Sequence, residues 1–158
     1  MARAKHYWLM KSEPNVYSID DLAKEKNKTT CWDGVRNYQA RNLMRDEMKK
    51  GDLVLYYHSN AKPPGVAGVA EIANEAYPDH TQFDQQSKYF DPKATLEVPR
   101  WFMVDIKLVK KFKTFQSLDD LKQVKALEGM VLLQKGSRLS VQPVTKKQYE
   151  TFVKLGSR

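Results

Sequence analysis

The chain has 158 residues, 41% of them hydrophobic and 29% charged, with a net charge of +8 and a sequence pI near 9.5. That length fits one domain, residues 1–158, large enough to bury a core without staples. The 17 aromatic residues argue against disorder, and the lone Cys31 excludes an internal disulfide and suits a reducing compartment.

No stretch approaches the roughly 20 apolar residues of a membrane span, and the start has no apolar run of signal-peptide length. The expected location is the cytoplasm, or the nucleus in a eukaryote, with no membrane partner. A balance this basic favours polyanions, with nucleic acid ahead of anionic lipid.

In chain order, Lys5–Met10 is predicted to be a first strand. Val16–Lys26 is predicted to be a helix, with Ser18 as N-cap and Asp20 and Asp21 at the positive end of its dipole. The pattern recurs at Ser117-Leu-Asp-Asp-Leu121, as expected of a second helix start. Tyr38–Met48 has helical spacing. Leu53–His58 is an unbroken apolar run, as in a strand covered on both faces. A turn at Lys62-Pro-Pro-Gly65 leads into Val66–Ala73, a strand of small residues that lets another backbone come close. Along Trp101–Phe112, Phe102, Val104, Ile106 and Leu108 alternate with Asp105, Lys107 and Lys111, which predicts a half-buried strand with a basic outer face. Leu139–Val144 is a last short strand. Thr145–Leu155 closes the chain as a helix, with Thr145 and Gln148 at capping-box spacing and Tyr149, Phe152 and Val153 as its apolar stripe. Short connections between the strands predict an α+β fold around a curved sheet or small β-barrel, flanked by helices.

Recognisable catalytic machinery is absent from the sequence. Cys31 could be paired with His6, His58 or His80, but the flanking sequences of cysteine proteases are missing. Three scattered histidines show no zinc spacing, and Asp79, Asp84 and Asp91 do not follow a calcium-loop pattern. Neither a Walker loop nor a dinucleotide fingerprint is present, and Gly65-Val-Ala-Gly68 reads as close backbone packing. No metal and no cofactor are expected.

Polar and aromatic residues gather instead at strand ends and in loops, where sites usually form. The carriers are Trp8-Leu-Met-Lys-Ser-Glu-Pro14, Thr29-Thr-Cys-Trp-Asp-Gly-Val-Arg-Asn-Tyr-Gln-Ala-Arg-Asn42, Tyr57-His-Ser-Asn60, Gly65-Val-Ala-Gly68, Glu75-Ala-Tyr-Pro-Asp-His-Thr-Gln-Phe83 and Arg138-Leu-Ser-Val-Gln-Pro143. On these motifs nearly the whole chain resembles the EVE-domain family, of the thymocyte nuclear protein type, within the PUA-like superfamily. It is more distantly similar to YTH domains.

The resemblance implies a PUA-like barrel and a non-catalytic module. Such a module binds DNA or RNA carrying a modified base, with modified cytosine the leading candidate. A base reader needs the base out of its stack, a flat ring to stack on it, and a few donors and acceptors for its edge. The implied pocket is Lys11, Ser12, Trp32, Arg36, Asn37, Tyr57, His58, Ser59 and Gln142. Trp32 would supply the stacking face, Ser12, Asn37 and Ser59 the edge contacts, and Gln142 the closing wall. Arg36 would stack or meet phosphate. Each has a plainer alternative: Trp32 as core, Asn37 as a helix cap, Ser12 as a turn partner, Arg36 paired with Asp33 or Glu47, His58 as a satisfied buried histidine. Tyr56 and Tyr57 alternate on their strand, so at most one can face the pocket. Lys107, Lys110, Lys111, Lys113 and Arg138, with Lys122, Lys125 and Lys135, are candidates for a backbone track or for a solvated face. The alternative function is an enzyme or sensor that binds a free nucleoside or other small molecule in the same pocket.

Overall fold

The apolar run at Leu53–His58 lies where its patterning requires, inside a sheet with a neighbour on each side. The computed structural model describes residues 5–134 and 139–158. Its strands are β1 (Tyr7–Ser12), β2 (Thr29–Trp32), β3 (Leu53–His58), β4 (Gly65–Pro78), β5 (Phe102–Ser117) and β6 (Val141–Val144). They form one sheet in the order β2-β5-β4-β3-β1-β6. β1 and β3 run parallel and the other pairs antiparallel.

Alternation along the strands splits the apolar side chains between two clusters, one on each face. The first joins Trp8, Met10, Trp32, Val54, Tyr56, Ile72, Val104, Ile106 and Val141, so all six strands contribute to it. Helix α1 (Ile19–Lys24) covers it with Ile19 and Leu22, and α2 (Tyr38–Asn42) with Ala40. The second cluster holds Leu9, Leu55, Tyr57, Val66, Val69 and Phe112. It lies under α3 (Leu118–Leu121) and α4 (Lys146–Gly156), which contribute Leu121 and Phe152.

Helix starts follow their caps. Ser18 Oγ accepts from Asp21 N at 3.0 Å while Asp21 accepts from Ser18 N at 2.8 Å. Thr145 and Gln148 close the same reciprocal box on α4, both bonds at 3.0 Å. The capped α1 is shorter than the predicted helix over residues 16–26, because Glu25 turns to extended geometry and Asn27 takes a positive φ of 56°. The predicted helix over residues 38–48 changes pitch, since a π turn at Leu43–Glu47 follows α2.

β4 and β5 exceed their predicted lengths because their pairing is bulged, with register shifts at four places that break the two-residue alternation. β2 was not predicted. It is a four-residue edge strand with three half-buried positions, too short to show a period.

The close approach expected of the small-residue strand occurs at Gly68. A Cβ there would sit 2.4 Å from the Lys110 carbonyl oxygen and 2.5 Å from Ile19 Cδ1. Gly68→Ala is therefore expected to cost about 1–3 kcal/mol of stability in urea unfolding, through overpacking against a backbone that cannot yield. Wild-type stability in that variant would contradict the contact.

Candidate nucleic-acid interface

Both edges of the open sheet border one cavity of about 670 Å³, which shows that the sheet curves back on itself. That volume is within the range of small-ligand sites, roughly 300–1,000 Å³. Edge strand β2 contributes Thr30, Cys31 and Trp32, the end of β1 contributes Lys11 and Ser12, and Ser140 stands just before β6 at the other edge.

The structure brings five of the nine pocket candidates to this cavity: Lys11, Ser12, Trp32, Arg36 and Ser59. Trp32 is 8% exposed and meets Tyr56 edge-on, 5.4 Å between centroids at 81°. It is at once a core residue and a cavity wall. Ser12 Oγ donates to the Tyr17 carbonyl at 2.8 Å, and its own carbonyl accepts from Ser59 N at 2.9 Å. Ser12 thus holds the turn that follows β1 as well as standing in the wall. The Lys11 ammonium lies 5.6 Å from the centroid of the Tyr57 ring, and burial holds its pKa below the ordinary value.

Arg36 lines the cavity but departs from the expected phosphate contact and from the expected acidic partners. Its Nε and Nη2 donate to the Tyr89 carbonyl, Nη1 to the Val35 carbonyl and to Asp79 Oδ2, and Nη2 also to Thr81 Oγ1. A guanidinium has five N–H groups, and all five are engaged, so none is left for a phosphate. Its acidic partner is Asp79, not Asp33 or Glu47.

The other four candidates do not line the cavity. Asn37 caps α2, its Oδ1 accepting from Ala40 N at 3.0 Å. Tyr57 points to the second cluster, because it alternates with Tyr56, which packs in the first. Gln142 is buried with its Nε2 donating to the Leu139 carbonyl at 2.9 Å. His58 Nε2 accepts from Ile19 N at 3.1 Å, at the first residue of α1, and only a neutral imidazole can do so.

Burial lowers the His58 pKa, with Lys111 adding to the effect and Asp20 opposing it. A histidine whose folded pKa lies below its unfolded value of about 6.5 stabilises the fold above that pH. The contribution is lost as pH falls through the folded value. The wild-type urea midpoint is expected to drop across this window, and the drop should be smaller in His58→Gln. Identical profiles would contradict the neutral acceptor.

Eleven wall residues were not among the pocket candidates, Tyr17, Asp33, Lys88 and Tyr89 among them. Asp33 follows Trp32 directly in a quoted motif, which was the available signal. Its carboxyl is raised, first by burial and then by the charge of Asp79. Burial pushes the Tyr17 hydroxyl up to about 12, so it is neutral at physiological pH. Lys88 and Tyr89 lie in an aperiodic loop that only long-range contacts position.

Those contacts assign a role to the motif around Tyr77–Phe83. Asp79, fully buried, accepts from Gly34 N and Thr81 N, both at 2.8 Å, and from Arg36. Burial would raise its carboxyl, but the hydrogen bonds from Thr81, Gly34 and Arg36 outweigh that and hold it below the ordinary value. Gln82 Nε2 donates to the Asp79 and Trp101 carbonyls, while its Oε1 accepts from Arg100 N and Trp101 N. The motif therefore ties down both ends of the loop that carries Tyr89. Gly34 explains the tight fit: its φ is +80°, and a Cβ there would meet the Tyr89 ring at 2.7 Å.

Cys31 lines the cavity, but its thiol is raised, first by burial and then by Asp33 and Asp105, so it is a poor nucleophile. Among the described residues, no group of three His, Cys, Asp or Glu side chains is placed to hold a metal, and no helix is long and apolar enough to cross a membrane. The candidate track residues Lys107, Lys110, Lys111 and Lys113 are exposed on β5, and none borders the cavity. Lys111 pairs with Asp20 at 2.8 Å. Lys135 and Arg138 lie outside the described residues.

Comparison with known proteins agrees with this fold. The EVE domain family model matches residues 6–155. Human thymocyte nuclear protein 1 is 45% identical over 94% of this chain and 73% of its own length. The structure of human THYN1 in complex with DNA containing 5-methylcytosine superposes with a TM-score of 0.90 at 43% identity, covering 98% of this chain and 99% of that one. A hypothetical protein from Leishmania major gives a TM-score of 0.90 at 53% identity, over 97% of this chain and 95% of its own. A yeast YTH domain, from Zygosaccharomyces rouxii, shares the fold at 14% identity and a TM-score of 0.57, over 97% of this chain and 87% of its own.

Proposed function

The chain belongs to the EVE-domain family, and on that premise we propose that its cavity holds a methylated cytosine swung out of a nucleic-acid strand, read without chemistry. The observation that carries this reading is the make-up of the wall, where Trp32 and Asp33 stand side by side in a cavity large enough to admit a nucleobase. Trp32 offers a ring for stacking. Asp33 offers an acceptor for the exocyclic amine that cytosine presents and thymine lacks. Val35 and Cys31 supply apolar surface for a methyl group, while Ser12 and Ser59 add short polar groups at the rim. The complex of human THYN1 with 5-methylcytosine DNA supports the same reading. A thiol held protonated beside the ligand favours binding over covalent catalysis.

The test is an equilibrium binding panel of DNA and RNA oligonucleotides carrying cytosine, 5-methylcytosine, adenine or N6-methyladenine. The methylated cytosine strand is expected to bind most tightly, with an affinity that falls with salt at a slope of about −0.7 per phosphate contacted on a single strand. Equal affinity for free nucleosides and oligonucleotides, with no salt dependence, would instead identify a small-molecule sensor.

A further inference from the structure

A continuous ladder of rings and guanidinium groups leads from the cavity to the protein surface. Tyr89 and Arg36 belong to the cavity wall, with the Arg36 guanidinium 5.4 Å from the Tyr89 centroid. The same guanidinium lies 5.2 Å from the Trp101 ring. Trp101 stacks on Tyr38 with centroids 4.8 Å apart and planes 25° from parallel. Arg41 then stands 4.7 Å from the Tyr38 ring.

Both Tyr38 and Arg41 keep binding capacity that the fold does not use. Trp101 backs the Tyr38 ring and Arg100 donates to its hydroxyl, yet 46% of Tyr38 remains exposed. Arg41 donates from Nε and Nη2 to Asn42 Oδ1 and from Nη1 to the Arg100 carbonyl. These three bonds leave two of its five N–H groups for another acceptor. Its charge is disfavoured by burial and by the neighbouring Arg45 and Arg100, a repulsion that an anion would relieve.

We infer that this ladder carries the strand away from the cavity, Tyr38 stacking the base next to the one held inside and Arg41 meeting the phosphate between them. Exposed aromatic rings beside cations are the usual means of holding single-stranded nucleic acid without reading its sequence. The platform is sequence-tolerant, because every base has a π-face, so selectivity stays with the cavity. Arg36, with all five donors engaged, is the rigid link between the two. The inference rests on the cavity holding a base.

The test compares a short single-stranded DNA oligonucleotide containing one 5-methylcytosine with the free nucleoside 5-methyl-2′-deoxycytidine, on wild type, Tyr38→Ala, Tyr38→Phe and Arg41→Gln. Tyr38→Ala is expected to weaken the oligonucleotide roughly 5- to 150-fold, the range of one lost base stack, and to leave the nucleoside unchanged. Tyr38→Phe keeps the ring and should bind as wild type does. Arg41→Gln should flatten the salt slope for the oligonucleotide by about 0.7, as for one lost phosphate. Unchanged nucleoside binding shows each variant to be folded. If Tyr38→Ala and Arg41→Gln bind the oligonucleotide as wild type does, the ladder is not the path, though the cavity reading stands. If Tyr38→Ala weakens nucleoside and oligonucleotide equally, Tyr38 only braces the cavity wall, and the inference is overturned. If wild type binds neither probe, the inference and the cavity reading fall together.

Discussion

Asp79→Ala is expected to lower the unfolding free energy by about 3–5 kcal/mol, the cost of breaking a buried ion pair by removing one partner. Asp79 is fully buried, and the Arg36 side chain is only 21% exposed, so solvent compensates little for the lost partner. The variant also orphans the Gly34 and Thr81 N–H groups. Binding should weaken with stability, because Arg36 and the loop bearing Tyr89 lose their anchor. The pH dependence has a definite sign. The Asp79 carboxyl is held below its ordinary value in the fold. Its contribution is therefore complete above the unfolded pKa, about 3.9, and is lost as pH falls through the lower folded value. Urea unfolding at several pH values should show a larger acid loss in wild type than in Asp79→Ala. A cost under about 1 kcal/mol, with nucleoside binding intact, would show that the loop does not depend on this carboxylate.

Trp32→Ala is expected to have two effects of different origin. Replacing a nearly buried tryptophan that packs edge-on against Tyr56 should cost about 3–5 kcal/mol of stability. The same change removes the stacking face and should cost about 1–3 kcal/mol of preference for the modified base. The salt slope should stay unchanged, because no phosphate contact is touched. Trp32→Phe separates the effects, since it keeps a smaller ring and most of the core contact. The decisive readout is the ratio of affinities for methylated and unmethylated oligonucleotides. An unchanged ratio in a folded Trp32→Ala protein would remove Trp32 from recognition and leave it as core alone.

Local signals in the sequence were sufficient where local physics decides. Ser18 and Thr145 announce their helices because a cap needs only the next three residues. Leu53–His58 announces a central strand because both its faces are apolar and paired. Signals failed where a residue's role is set from far along the chain. Arg36 and Asp79 are 43 residues apart, and nothing near either one shows that each is the other's partner. His58 and Gln142 sit in polar motifs that suggest ligand contact, yet each spends its polar group on the backbone of another element or turn. Tyr57 and Tyr56 were separable only by knowing which sheet face curves around the cavity. Lys88 and Tyr89 carry no periodic signal, and their place in the wall follows from Gln82, Asp91 and Trp101 anchoring an otherwise irregular loop.

The most direct test of the central claim is a titration of matched methylated and unmethylated oligonucleotides, followed on the Trp32 indole N–H resonance. Trp8 donates its indole N–H to Asp52 and does not line the cavity, so it serves as the internal control, and Trp32→Phe assigns the Trp32 resonance. The account predicts that the methylated strand moves the Trp32 signal to saturation, with an affinity about 1–3 kcal/mol better than that of the unmethylated strand, the worth of one methyl group in an apolar pocket. Equal affinities for the two strands, or tight binding that leaves the Trp32 signal in place, would contradict it.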